Sequence, residues 1–128
     1  MPSRASTYKV LPLPIVQKTA KKILTSAQLR AAIREARTLR FYPSVSDLEI
    51  KPCGDGMELV VEDPTIGKQG WLRAMFWVDE NAKTIYVVDL FWKKTNAIST
   101  ADKLRANDRI RRLKAELKKG QKPWHDLH

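Results

Sequence analysis

Along residues 84–92, TIYVVDLFW, apolar side chains fall on both alternating positions, and Asp89 is the one charge. A strand that is apolar on both faces belongs inside a sheet covered on both sides. Residues 71–78, WLRAMFWV, read the same way with Arg73 as the one charge. Between them Asp79-Glu80-Asn81-Ala82-Lys83 is a turn, so the two segments predict a hairpin. Pairing Val78 with Thr84 brings Arg73 near Asp89, on the face that Asp89 shares with Phe91 and Lys93. Upstream, Ser46–Lys51 and Met57–Glu62 predict two more strands around Pro52-Cys53-Gly54-Asp55-Gly56, extending the hairpin into an antiparallel meander.

Elsewhere the apolar positions recur at helical spacing. Thr25 or Ser26 caps a helix running to Leu39 or Arg40, with Leu29, Ile33, Ala36 and Leu39 on one face and Arg30, Arg34 and Arg37 on another. Pro43 marks its stop. A second helix is predicted over Ser99–Lys119. Ser99 with Asp102 resembles a capping box, Ala106, Ile110, Leu113 and Leu117 form the stripe, and Gly120 ends it. Met1–Lys22 is basic and interrupted by Pro2, Pro12 and Pro14, so it reads as an N-terminal arm in which Tyr8–Val16 is extended, as an edge strand or a docked segment. These elements predict one α+β domain: three or four strands in an antiparallel meander, with helices before and after them and a tail over 121–128.

Composition narrows the function. Over 128 residues, 43% hydrophobic and 30% charged describe a soluble globular chain. The formal charge of +10 points to a polyanionic partner. No apolar run is long enough for a membrane span, and the N-terminus lacks a signal-peptide core. One cysteine, Cys53, leaves no internal disulfide and fits the cytoplasm. One Cys and two C-terminal His make no zinc set. The sequence has no Walker loop, dinucleotide fingerprint or G-x-S-x-G, so no cofactor is expected.

The remaining chemistry is cationic. Lys93 and Lys94 leave the most apolar strand beside a helix start, a natural anion site. With Arg73 they suit attack of a ribose 2′-hydroxyl on its own phosphodiester, because Arg and Lys stabilise the charge of a pentavalent phosphorane. Adjacent lysines also disfavour each other's protonation, which moves one toward acid–base work. His125 and His128 titrate near neutrality and are the other acid or base candidates. Lys68, Arg105, Arg109 and Arg112 are candidates to hold an RNA backbone, and Trp92, beside the lysines, either stacks on a base or continues the apolar core of its strand.

The run Trp71–Asp79, then Ile85–Leu90, then Phe91-Trp92-Lys93-Lys94-Thr95, then a helix with Ala106 and Arg109, resembles the HigB-like, phage-derived branch of the RelE/ParE toxin superfamily. In that branch a strand with R-x-x-[YF] precedes an apolar strand ending in F-x-K-K-T. Where the family commonly has E-L-R, this chain has Glu58-Leu59-Val60. The resemblance implies a RelE-like α+β fold, an N-terminal helix or helices packed on a twisted antiparallel sheet of three to five strands, with a C-terminal helix. It also implies a type II toxin, an endoribonuclease that cleaves mRNA without a metal, often on the ribosome, and is neutralised by a small helix-turn-helix antitoxin. It implies that Arg73 stabilises the phosphate and that Lys93 and Lys94 close the site. On this reading Arg73→Ala relieves growth arrest and leaves the fold intact. The alternative on the same fold is a basic binding protein without nuclease activity. It would be a topoisomerase poison like ParE relatives, or an inactive phage-derived module for nucleic acid or protein.

Overall fold

The computed structural model describes residues 7–44, 49–61, 71–93 and 98–120. Five strands, β1 (Lys9–Pro12), β2 (Glu49–Cys53), β3 (Gly56–Val61), β4 (Trp71–Asp79) and β5 (Thr84–Lys93), form one sheet in the order β1-β5-β4-β3-β2. Helices α1 (Pro14–Ile23) and α2 (Ser26–Thr38, continued by a 3-10 turn at Leu39–Phe41) cover one face. Helix α3 (Thr100–Lys118) lies on the other. The α+β class, the meander β2–β5 and the C-terminal helix are as the sequence predicts.

Within the basic arm expected over 1–22, the extended edge strand is found at β1, but it stops at Pro12 and the helix α1 begins at Pro14 in place of a longer extended segment. β1 is a parallel edge strand beside β5, and Leu13 N–H continues the contact to the Val87 carbonyl at 3.0 Å. Pro12 ends an edge strand, and Pro14 occupies the first turn of α1, where a missing N–H costs nothing. Val16 and Ala20, one turn apart, are buried against the sheet, with Ile23 packed beside them. α2 has the full capping box. Thr25 Oγ1 accepts from Gln28 N–H at 3.2 Å, and Gln28 Oε1 accepts from Thr25 N–H at 2.9 Å. Its buried line runs through Gln28 and Ala31 to Leu39, so Ile33 is left 41% exposed.

The core lies on both faces of β4 and β5, with Leu72, Phe76, Ile85 and Val88 fully buried and Leu113 of α3 closing the far side. The hairpin register departs from the predicted one. Val78 pairs with Ile85, and an irregularity between Met75 and Phe76, where Val88 is the extra residue of β5, sets Arg73 opposite Phe91. These two single-residue offsets add to an even number. Arg73 therefore keeps the predicted face, shared with Asp89, Phe91 and Lys93. The β2–β3 turn shortens to Gly54-Asp55, with Gly54 at φ +58, and Asp55 N–H donates to Asn107 Oδ1 of α3 at 2.9 Å.

Candidate functional site

Two cations of the α3 face come from neighbouring strands at one end of the sheet. Arg73 is opposite Phe91, and Lys93 is two residues further along β5, opposite Trp71. Such a diagonal separates the two backbones by about 7–8 Å. Each cation already has a carboxylate. Arg73 Nη1 is ion-paired with Glu58 Oε2, both groups almost wholly buried. Arg73 thus takes its counter-charge from β3 and not from Asp89, as the hairpin reading had it. Lys93 Nζ is 3.6 Å from Asp102 Oδ2, in the first turn of α3. Among the described residues Arg73 Nε has no hydrogen-bond partner, so one donor of this guanidinium is unspent.

Asp89 is engaged by α3. Its carboxylate accepts from Arg105 Nε at 2.7 Å, from Arg109 Nη1 at 3.0 Å and from Leu90 N–H at 2.9 Å, and it is 3% exposed. Arg109 Nη1 also donates to the carbonyl of Val88 at 2.8 Å, the backbone group that the bulge withdraws from regular pairing. Arg105 bridges to Asp102 at 2.6 Å and lies over the Phe91 ring. Ser99 Oγ accepts from Asp102 N–H at 3.1 Å and donates to Asp102 Oδ2 at 2.8 Å, so the cap and the network share one carboxylate.

Four cations (Arg73, Lys93, Arg105, Arg109) meet three carboxylates (Glu58, Asp89, Asp102), leaving one net positive charge. Burial pushes the Asp102 carboxyl up, but the hydrogen bonds from Ser99 and Arg105, with the charges of Arg105 and Lys93, outweigh it and hold it below its usual value. Burial pulls the Arg109 guanidinium down despite Asp89. For Arg105 the carboxylates prevail over burial and raise it. All remain charged in neutral solution.

Of the RNA-binding candidates, Arg105 and Arg109 are tied into this network, and Arg112 is exposed with Asp108 at 3.3 Å. Trp92 faces the other way. Its indole N–H donates to the Ile23 carbonyl at the end of α1 at 3.2 Å, so it stands across the sheet from Arg73 and Lys93. Lys68, Lys94, His125 and His128 lie outside the described residues. Among the described residues no group of His, Cys, Asp and Glu is arranged to hold a metal ion, and no helix is long and apolar enough to cross a membrane. Glu58 was missed from sequence although a signal existed. An arginine inside an apolar strand needs a buried carboxylate on a neighbouring strand, and Glu58 is the acid inside β3.

No family model and no curated protein matches the sequence. Among solved structures the chain is similar to a mutant of the E. coli toxin RelE in the free state, with TM-score 0.58 and 13% identity over 81% of this chain and 98% of that one. It is also similar to the toxin–antitoxin complex RelBE2 from Mycobacterium tuberculosis, with TM-score 0.52 and 16% identity over 68% and 99%. A third similarity is to the RelE–RelB complex from Pyrococcus horikoshii OT3, with TM-score 0.48 and 22% identity over 71% and 99%. The first two identify the fold as RelE-like.

Proposed function

We propose that this chain is the toxin of a type II toxin–antitoxin pair, of the HigB-like branch, and an endoribonuclease that cleaves mRNA in the cytoplasm, free or on the ribosome. The observation that carries the reading is the pairing of a RelE-like fold with Arg73 and Lys93 on one face of adjacent strands. In the reaction the 2′-oxygen attacks phosphorus as a base takes its proton. The phosphorane collapses with loss of the 5′-oxygen, which receives a proton, leaving a 2′,3′-cyclic phosphate. Arg73 and Lys93, with Lys94, stabilise the added negative charge. Lys94 or His125 moves the protons. Arg73, 1% exposed and paired with Glu58, acts on a phosphate only through its charge, and direct contact with a phosphate oxygen falls to Lys93. A phosphate entering here displaces Asp102 from Lys93. Arg105, Arg109 and Arg112 of α3, together with Lys68, hold the backbone, and Trp92 is too far around the sheet to stack on a base. A small helix-turn-helix antitoxin covers the basic surface with acidic residues, so the pair weakens in high salt.

One observation favours the second reading. Arg73 is buried with its own carboxylate, as a structural arginine would be, which suits a basic binding protein without nuclease activity such as a ParE-like topoisomerase poison. The same ion pair disqualifies Arg73→Ala as a clean test, because the variant strands Glu58 without a partner and unfolding alone would end toxicity. The decisive experiment is primer extension on total RNA after induction. It compares the parent with Lys93→Met and with the charge-free pair Arg73→Met/Glu58→Leu, each confirmed as folded by circular dichroism. New transcript ends from the parent that vanish in both variants support the nuclease. Intact transcripts with a DNA-damage response support the poison and overturn the nuclease.

A further inference from the structure

Four alanines from three elements border one space: Ala20 of α1, Ala32 and Ala36 of α2, and Ala74 of β4. Methyl groups stand where longer side chains would pack helix onto sheet, and they leave a cavity of about 470 Å³ across the sheet from Arg73 and Lys93. That volume is within the ~300–1,000 Å³ of small-molecule sites. The wall is aliphatic and offers water few hydrogen bonds. At the rim Lys21 of α1 and Arg37 of α2 are exposed, and among the described residues neither forms an ion pair. Glu35 is the one acidic residue between Pro14 and Phe41, so the positive field at the rim is little opposed.

We infer that this cavity binds a single-chain amphipathic carboxylate, its alkyl chain among the alanines and its headgroup between Lys21 and Arg37. An apolar body with one anionic end matches both the lining and the two cations. A neutral chain matches only the lining. The site is independent of the proposed nuclease and stands or falls separately from it.

Displacement of 1-anilinonaphthalene-8-sulfonate from the full chain, followed by its fluorescence below any micelle concentration, tests the inference. Dodecanoate displaces the dye about ten-fold more tightly than dodecanol, which is the expectation for one desolvated ion pair. Lys21→Gln/Arg37→Gln removes that preference and leaves dodecanol unchanged. Ala36→Leu fills the cavity and weakens both ligands about ten-fold or more, and Ala20→Leu does the same from the other helix should the first variant misfold. Circular dichroism and the urea midpoint report folding. Equal affinity for acid and alcohol overturns the inference, and so does a preference that survives loss of both cations. Indifference to both filling substitutions, or displacement by an acidic amphipathic peptide but not by dodecanoate, overturns it as well.

Discussion

Glu58→Gln strands the Arg73 guanidinium, 1% exposed, with no carboxylate to answer it. Arginine cannot escape by losing its proton, so the uncompensated charge stays. Breaking a buried ion pair from one side costs about 3–5 kcal/mol. A domain of this kind has roughly 5–15 kcal/mol in all. With a urea dependence of about 2 kcal/mol per molar, the unfolding midpoint should fall by roughly 1.5–2.5 M. Urea titrations followed by circular dichroism and tryptophan fluorescence measure it directly. Glu58→Leu/Arg73→Met, which removes both charges and fills a similar volume, should recover most of the loss, because a buried pair and its apolar replacement are often nearly equivalent. A Glu58→Gln midpoint within about 0.3 M of the parent, well below the shift a stranded charge requires, would show that Arg73 reaches water. The argument for a closed pair would then collapse.

Three further outcomes are expected. Asp102 has a lowered pKa when folded, so the unfolded chain binds more protons in acid. The stability this group supplies is complete above about pH 4 and is lost as pH falls through the lower folded value. Acid unfolding of Asp102→Asn should lack that component, and a curve parallel to the parent's would remove Asp102 from the network. Gly56→Ala puts a Cβ 2.5 Å from the Phe76 carbonyl oxygen and 2.8 Å from Ile110 Cδ1, so calorimetry should register about 1–3 kcal/mol of overpacking. An unchanged Tm would mean β3 and β4 are not so close there. Leu113→Ala, at a fully buried position, should cost about 2–5 kcal/mol. Leu104→Ala, at 63% exposure, should stay within about 0.5 kcal/mol, and equal losses would mean that α3 presents a different face to the sheet.

Much of this molecule is legible in its sequence because the relevant forces act between near neighbours in the chain. Thr25 with Gln28 caps α2, Ser99 with Asp102 caps α3, and Gly54-Asp55 turns the hairpin, each within four residues. Alternation along β5 separates Phe91 from Trp92, so the sequence already held the reason why Trp92 cannot stand beside Arg73. The α1 helix was legible too, since Ile15, Val16, Ala20 and Ile23 recur at helical spacing, but Pro14 reads as a breaker unless it is placed in the first turn, where proline is tolerated. For the partner of Arg73 the sequence held a signal, a carboxylate on a neighbouring strand, but not a choice between two. Glu58 and Asp89 are both acids on strands flanking β4, and sequence cannot say which one a helix will claim. Arg105 and Arg109 reach Asp89 across 16 and 20 residues of chain, and that leaves Glu58 for Arg73. The chain by itself determined most of its elements and the separation of Asp89, Phe91 and Lys93 from Leu90 and Trp92, since both follow from local sterics and a period of two. Tertiary structure alone decided which charges neutralise one another, because that choice is made only when strands and helix close together and exclude water.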